Sequence, residues 1–353
     1  VLRRLPASRR LALTGTPVEN GLGDLWAILD FTNPGLVGPR TAFIEHLSAR
    51  GAPGPDTRAG AEEGALRALN GLLIFRRTKI EPEIAAELPD KVDKLDQCSM
   101  TAEQIGLYQA VVDRLLDKPL DSDSNRRKGQ VLAAITALKQ ICDHPAAYLR
   151  ADDDQDGLAG RSGKLARLEE IVSDVFASGE RILIFTHFAR WGERLAEYLT
   201  GRTGRRIECY HGGLGRVTRD RLVADFQSGT GAGALVLSIK AGGSGLNLTA
   251  ANHVVLYDRW WNPAVEDQAR DRAWRIGQES TVLCHRLVCP GTVDERVEEI
   301  VAGKRRVAGM VLPARSSLGD LDADQLRVAL GLRSDDLVED EAVPDERRED
   351  EAA

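Results

Sequence analysis

The sequence predicts an α/β fold, a parallel sheet with helices on both faces. The main observation is an alternation of helical patterns with short β-branched runs between about 162 and 310. It passes from KLARLEEIVSDVFAS and RILIFTHF through WGERLAEYLT, RIECYHG, RDRLVADFQS, ALVLSIK and HVVLYDR to EDQARDRAWRIG and TVLCHRLV. Strands that alternate with helices pair in parallel, because each helix carries the chain back to the same end of the sheet. The second observation is composition: 353 residues, 42% hydrophobic and 29% charged, suffice for two cores of ordinary globular make-up.

Each remaining segment has its own signature. Residues 1–48 open with LALTGTP, which reads as a buried strand entering a tight turn, and continue into an amphipathic helix, DLWAILDF. A domain that starts one strand from its end is expected to be a fragment. Residues 49–100 read as linker and connection, from the Gly/Pro-rich GAPGPDTRAG to the basic run FRRTK. Residues 101–158 read as a helical segment, with Thr101 as N-cap of AEQIGLYQAVVDRLL and a second helix, VLAAITALKQICDHP, that Pro145 ends. The sheet domain occupies 159–310, followed by a helical segment over 311–332. Residues 333–353 hold ten acids and three arginines, so this tail carries the whole net charge of −7 and is expected to be disordered.

Several classes are excluded. No apolar run approaches the roughly 18 residues of a membrane span, and the opening residues carry no signal-peptide pattern, so a cytoplasmic location is expected. Five scattered cysteines suit reduced thiols. Cys284, His285 and Cys289 lie in a strand-like run with no second ligand pair, so no metal site is expected.

Polar residues directly after strands are where a parallel sheet does chemistry. After ALVLSIK comes AGGSGLNLT, where Gly242, Gly243 and Gly245 let a backbone approach a phosphate or a neighbouring lobe. Then a strand ending in Asp258 leads through an aromatic pair and Pro263 into a helix whose spacing puts Gln268, Arg272 and Arg275 on one face. Two readings of the arginines stand: a solvated salt-bridge surface with Glu266, Asp267 and Asp271, or guanidinium forks that neutralise a transferring phosphoryl group.

These blocks resemble the Swi/Snf group of helicase superfamily two, DNA translocases with two RecA-like lobes. LTGTPVENGLGDLW (13–26) is similar to motif three at the end of the first lobe. FRRTK (75–79) and ELPDK (87–91) are similar to the interlobe connection, and KQICDHP (139–145) and SGKL (162–165) to the entry to the second lobe. ILIFTHF (182–188), YHGGL (210–214), LSIKAGGSGLNLT (237–249) and DRWWNPAVEDQARDRAWRIGQ (258–278) are similar to that lobe's later motifs. The resemblance implies a RecA-like second lobe, a partial first lobe and a helical linker. It further implies that Arg272 and Arg275 complete an ATP site, with Gln268, Gln278, Gly242, Gly243, Gly245, Thr14, Gly15 and Thr16 in the ATP site and its coupling. Ser238, Lys240, Asn247, Arg76 and Arg77 would then contact double-stranded DNA without sequence readout. Trp274 departs from the family, many of whose members carry His there.

Phosphoryl transfer on this scaffold also needs a G-x-x-x-x-G-K-[ST] loop and an acidic box for Mg²⁺. Neither motif occurs in the sequence; GLAGRSGKL has the wrong glycine spacing and Leu165 in place of the hydroxyl. ATP and Mg²⁺ are therefore expected only in a complete motor with a further N-terminal lobe, and the chain alone is expected to be inactive. The alternative expectation is a non-catalytic remnant that binds DNA or a protein. Arg202, Arg205, Arg206, Arg216, Arg219 and Arg221 form either a DNA-binding cluster or a solvated basic face.

Overall fold

The computed structural model describes residues 6–14, 22–48, 79, 81, 85–117, 124–149, 157–241, 245–260 and 262–298. The expected flexible insertion, the 311–332 helical segment and the acidic tail lie outside the described residues. The described residues fall into two compact units, one drawn from within 1–94, 172–285 and 297–298, the other from within 95–171 and 286–296.

Among the described residues, six strands make one sheet: β1 (Lys91–Gln97), β2 (Ile182–Thr186), β3 (Glu208–Tyr210), β4 (Ala234–Ser238), β5 (His253–Leu256) and β6 (Val282–Val288), in the order β1-β6-β5-β2-β4-β3. β2 pairs in parallel with β4 and β5, and β3 with β4, as the alternation predicts. Central β2, β4 and β5 are buried at every position, which is why their sequences read as unbroken apolar runs rather than alternating ones. Leu183, Phe185, Leu235, Leu237, Val254 and Leu256 form the core with Leu222, Phe226, Leu248, Ala269 and Ala273.

The helices of this unit are α1 (Leu22–Thr32), α2 (Arg40–Ser48), α7 (Ala189–Thr203), α8 (Arg216–Ser228) and α9 (Pro263–Arg270). Helix α7 packs on β2, β3 and β4. It ends at Gly204, whose φ of 66° is a left-handed cap that lets its N–H reach the Thr200 carbonyl at 2.9 Å. Gly192 of α7 lies against the sheet: a Cβ there would come within 3.1 Å of Thr186 and Cys209.

In the second unit, α3 (Ala102–Asp117) opens as a reciprocal capping box. Thr101 Oγ1 accepts from the Gln104 N–H at 3.3 Å, and Gln104 Oε1 accepts from the Thr101 N–H at 3.1 Å. The same Gln104 amide donates to the Ile141 and Cys142 carbonyls at 2.7 and 3.0 Å, tying α3 to the end of α4 (Ser124–Asp143). Pro145 begins the short α5 (Pro145–Leu149) rather than only ending α4. Helix α6 (Gly163–Ala177) starts against backbone so closely that a Cβ on Gly163 would lie 1.9 Å from the Ser99 carbonyl. Its Lys164 is wholly buried, 3.0 Å from Asp143 and 2.5 Å from Asp294. The lysine of SGKL is therefore occupied by two carboxylates and is no phosphate ligand.

Three expectations change. LALTGTP forms no strand over its described residues 11–14, and Leu11 and Leu13 are 79% and 88% exposed. A strand exists only where a neighbour completes its hydrogen-bond ladder, and no strand borders these residues among those described. Conversely, the connection over 49–100 ends in a strand, β1, bonded to β6 through Val282 N–H to Asp90 O and Cys98 N–H to Val288 O. Its charge-rich sequence KVDKLDQ hides this, because a half-exposed edge strand needs little apolar surface. The helix expected to run through Arg275 stops at Arg270. The Arg272 and Ala273 N–H groups reach back only three residues, to Ala269 and Arg270, and the chain then leaves the helix in turns. Among the described residues no helix is long and apolar enough to cross a membrane.

Candidate functional site

The carboxyl ends of β2, β4 and β5 converge. Asp258, two residues beyond β5, accepts hydrogen bonds from Thr186 Oγ1 at 2.5 Å, from the His187 N–H at 2.9 Å and from His187 Nδ1. His187 stacks on Trp260, with ring centroids 4.3 Å apart and planes 17° from parallel. Ser238 pairs in register with Thr186 and is buried, whereas Lys240 and Asn247 are exposed and Lys240 Nζ lies 6.0 Å from the Trp260 ring. Gly245 takes φ +105°, a backbone state that a side chain would strain. The sequence placed the chemistry at these strand ends but did not reveal the His187–Asp258 pair, since their separation of 71 residues is closed only by parallel pairing of β2 with β5.

Around α9 the carboxylates are already committed. Arg259 and Glu266, both fully buried, pair through two hydrogen bonds of 2.8 and 2.9 Å, and Arg259 also pairs with Glu298. Arg270 pairs with Asp93 at 2.7 Å and with Asp267, and Lys79 pairs with Asp271 at 2.9 Å. Glu266, Asp267 and Asp271 are thus held by other cations. Arg272 and Arg275 have no carboxylate partner among the described residues.

Arg272 is only 7% exposed, and its buried Nε has no hydrogen-bond partner among the described residues. Burial, with the neighbouring Arg275 charge, holds this guanidinium below the usual arginine value despite the proximity of Tyr210. A largely buried cation without a counter-charge is poorly solvated, and an arriving anion would gain by neutralising it. Arg275 is exposed, three residues further along the turn. Among the described residues, these two arginines form no salt bridge with Glu266, Asp267 or Asp271.

Gln268 is exposed on α9 and does not share a helical face with the arginines, which lie beyond the helix. Gln278 is buried and saturated: its amide donates to the Thr249 and Ala251 carbonyls at 2.9 and 2.7 Å, and its Oε1 accepts from Ser280 N–H at 2.9 Å. The Leu248 N–H donates to the Arg272 carbonyl at 3.0 Å, which ties the glycine-rich segment to the arginine turn. Thr14 is described and exposed; Gly15, Thr16, Arg76, Arg77, Gly242 and Gly243 lie outside the described residues.

The arginines beside YHGGL are largely compensated. Arg206 and Arg221 share Glu208 at 2.8 and 3.5 Å, Arg216 lies 3.7 Å from Asp220, and Arg205 covers the Phe176 ring at 4.5 Å.

All five cysteines are free. Cys284 and Cys289 do not converge with His285, which stacks on His253 at 6.2 Å. Cys142, Cys289 and Asp294 do cluster, but the Lys164 ammonium on Asp294 supplies the positive charge there. Burial pushes the Cys98 thiol up to about 11 and the Cys209 thiol to about 12. Iodoacetamide at pH 8 is therefore expected to label both at least about a hundredfold more slowly than free cysteine until urea unfolds the chain. Mass spectrometry checks this; labelling at the free rate would contradict the burial.

Residues 163–277 match the helicase conserved C-terminal domain and residues 1–147 the SNF2-related domain. The SWI2/SNF2 ATPase core of Sulfolobus solfataricus is 35% identical, with a TM-score of 0.59 over 94% of this chain and 67% of that one. The chain belongs to the SWI2/SNF2 family. The same SWI2/SNF2 core solved in complex with double-stranded DNA matches equally well, at 35% identity and TM-score 0.59 over 94% of this chain and 69% of that one. Among curated SWI2/SNF2-like relatives, YwqA of Bacillus subtilis is 39% identical over 92% of this chain and 35% of its own length. Human DNA excision repair protein ERCC-6 is 30% identical over 82% of this chain and 20% of its own. The chain spans about a third or less of the length of these two relatives.

Proposed function

We propose that this chain supplies the arginine-bearing lobe of an ATP-driven motor that moves along double-stranded DNA in the cytoplasm. The observation that carries the reading is Arg272, a buried guanidinium that, like the exposed Arg275 beside it, has no carboxylate partner among the described residues. Such a pair fits a triphosphate presented by a second lobe, with Mg²⁺ held by that lobe's acidic box. Bound there, ATP would supply a terminal phosphoryl group for transfer to water, with ADP as the leaving group, and that cycle would drive closure and opening of the lobes. Arg275, on the surface, reaches across the cleft; Arg272, pre-desolvated, strengthens the field on the phosphoryl oxygens at no reorganisation cost. Gln278 and the Leu248–Arg272 hydrogen bond hold the turn and join its position to the Lys240–Asn247 segment. Lys240 and Asn247 offer exposed donors to backbone phosphates, which carry no sequence information. Alone, the chain is expected to show no DNA-stimulated ATPase activity.

Titration of the chain with fluorescent duplex DNA at several salt concentrations tests this reading. Log affinity is expected to fall linearly with log salt, Lys240→Ala to reduce the slope by about one, and Arg272→Ala/Arg275→Ala to leave it unchanged. Salt-independent affinity, or none at low salt, would favour a remnant that binds a protein instead.

A further inference from the structure

Trp274 lies between the two arginines, and its ring is held by residues up to 195 positions earlier in the chain. The indole N–H donates to the Pro89 carbonyl at 2.8 Å. Lys79 Nζ lies 4.6 Å and Lys91 Nζ 4.5 Å from the ring centroid, so one indole serves two ammonium groups. Lys79 also donates to the Trp274 carbonyl at 2.5 Å and pairs with Asp271 at 2.9 Å. Just before the turn, Arg270 reaches Asp93 at 2.7 Å, and Asp93 lies 3.7 Å from Lys91. Ring face, indole N–H, backbone carbonyl and flanking carboxylate are thus all engaged by the segment from Lys79 to Asp93. Tryptophan offers the strongest π face for a cation together with one N–H donor.

We propose that Trp274 is a positioning residue, a clamp that makes the placement of Arg272 and Arg275 follow the Lys79–Asp93 segment. Its catalytic consequence rests on the function proposed above; the clamp itself does not. The Leu248 and Gln278 N–H groups donate to the Arg272 and Arg275 carbonyls at 3.0 Å each, so their amide exchange reports the order of the turn directly.

Hydrogen–deuterium exchange on this chain is the test. Trp274→Ala is expected to speed exchange at Leu248 and Gln278 by about tenfold or more while β2 and β4 stay protected, and Trp274→Phe, which keeps a π face but loses the donor, to fall between. Lys79→Ala removes the clamp from its other side and is expected to loosen the same amides, which keeps the test open should Trp274→Ala unfold the chain. Unchanged protection at Leu248 and Gln278 in Lys79→Ala, or in a folded Trp274→Ala, would overturn the proposal. Joined to a phosphate-binding lobe, Trp274→Ala is further expected to lower kcat about tenfold with DNA affinity and the KM for ATP within about twofold. A loosened turn with unchanged kcat would leave the clamp standing and instead remove the arginine turn from catalysis.

Discussion

Arg275→Ala, assayed in a protein that joins this chain to a phosphate-binding lobe, is expected to lower DNA-stimulated ATP turnover by about 10³-fold or more. That is the range of an arginine supplied to a phosphoryl group, and about 4 kcal/mol of transition-state stabilisation. Arg272→Ala is expected to match it, since Arg272 is the more desolvated of the two and has no carboxylate partner among the described residues. Arg272→Lys should recover little: an ammonium keeps the charge but loses the planar fork that meets two oxygens at once. DNA affinity should stay within about twofold in each variant, because the donors proposed to track the phosphates are those of Lys240 and Asn247. Steady-state ATPase assays with saturating duplex measure the effect. Turnover that survives both alanine substitutions would remove the arginine turn from the reaction.

The largest stability effect is expected at Lys164. Its ammonium is wholly buried between Asp143 and Asp294, so Lys164→Met removes the cation that bridges these two buried carboxylates. A loss of about 3–5 kcal/mol is expected, measured as a lower urea midpoint. Restoring apolar partners in Lys164→Met/Asp143→Leu/Asp294→Leu should recover most of it, because the penalty comes from the stranded charges rather than from lost volume. Burial opposes the ammonium, yet Asp294 and Asp143 outweigh it and hold Lys164 well above the usual lysine value. A folded pKa raised above the unfolded one gives a stability contribution that is complete below the unfolded value. It is lost only as pH rises through the folded value. Lysine titration therefore leaves this contribution constant across neutral pH, and a steep loss between pH 7 and 9 assigned to Lys164 would contradict the arrangement.

The strands β2, β4 and β5 were legible because buried parallel strands leave unbroken apolar runs, and α3 because apolar residues recur at helical spacing after Thr101 as N-cap. The family was legible because its blocks follow one another in order. Less was legible at the margins. β1 escaped because an edge strand of charged residues has no hydrophobic signature. LALT read as a strand because local β-propensity says nothing about whether a neighbour is present. The end of α9 is not legible because Asp271 to Arg275 contain no helix breaker, while the tertiary hydrogen bond from the Leu248 N–H to the Arg272 carbonyl and the local one from the Gln278 N–H to the Arg275 carbonyl go with turns. What the sequence by itself determined, then, was the alternation that builds the sheet, the family, and the residue types at its carboxyl edge. Only the tertiary structure decided which charges are spent and which are free. Coulomb pairing depends on distances between residues far apart in the chain, such as Arg270 with Asp93, Lys79 with Asp271 and Lys164 with Asp294. Among the described residues, those pairings leave Arg272 buried without a carboxylate.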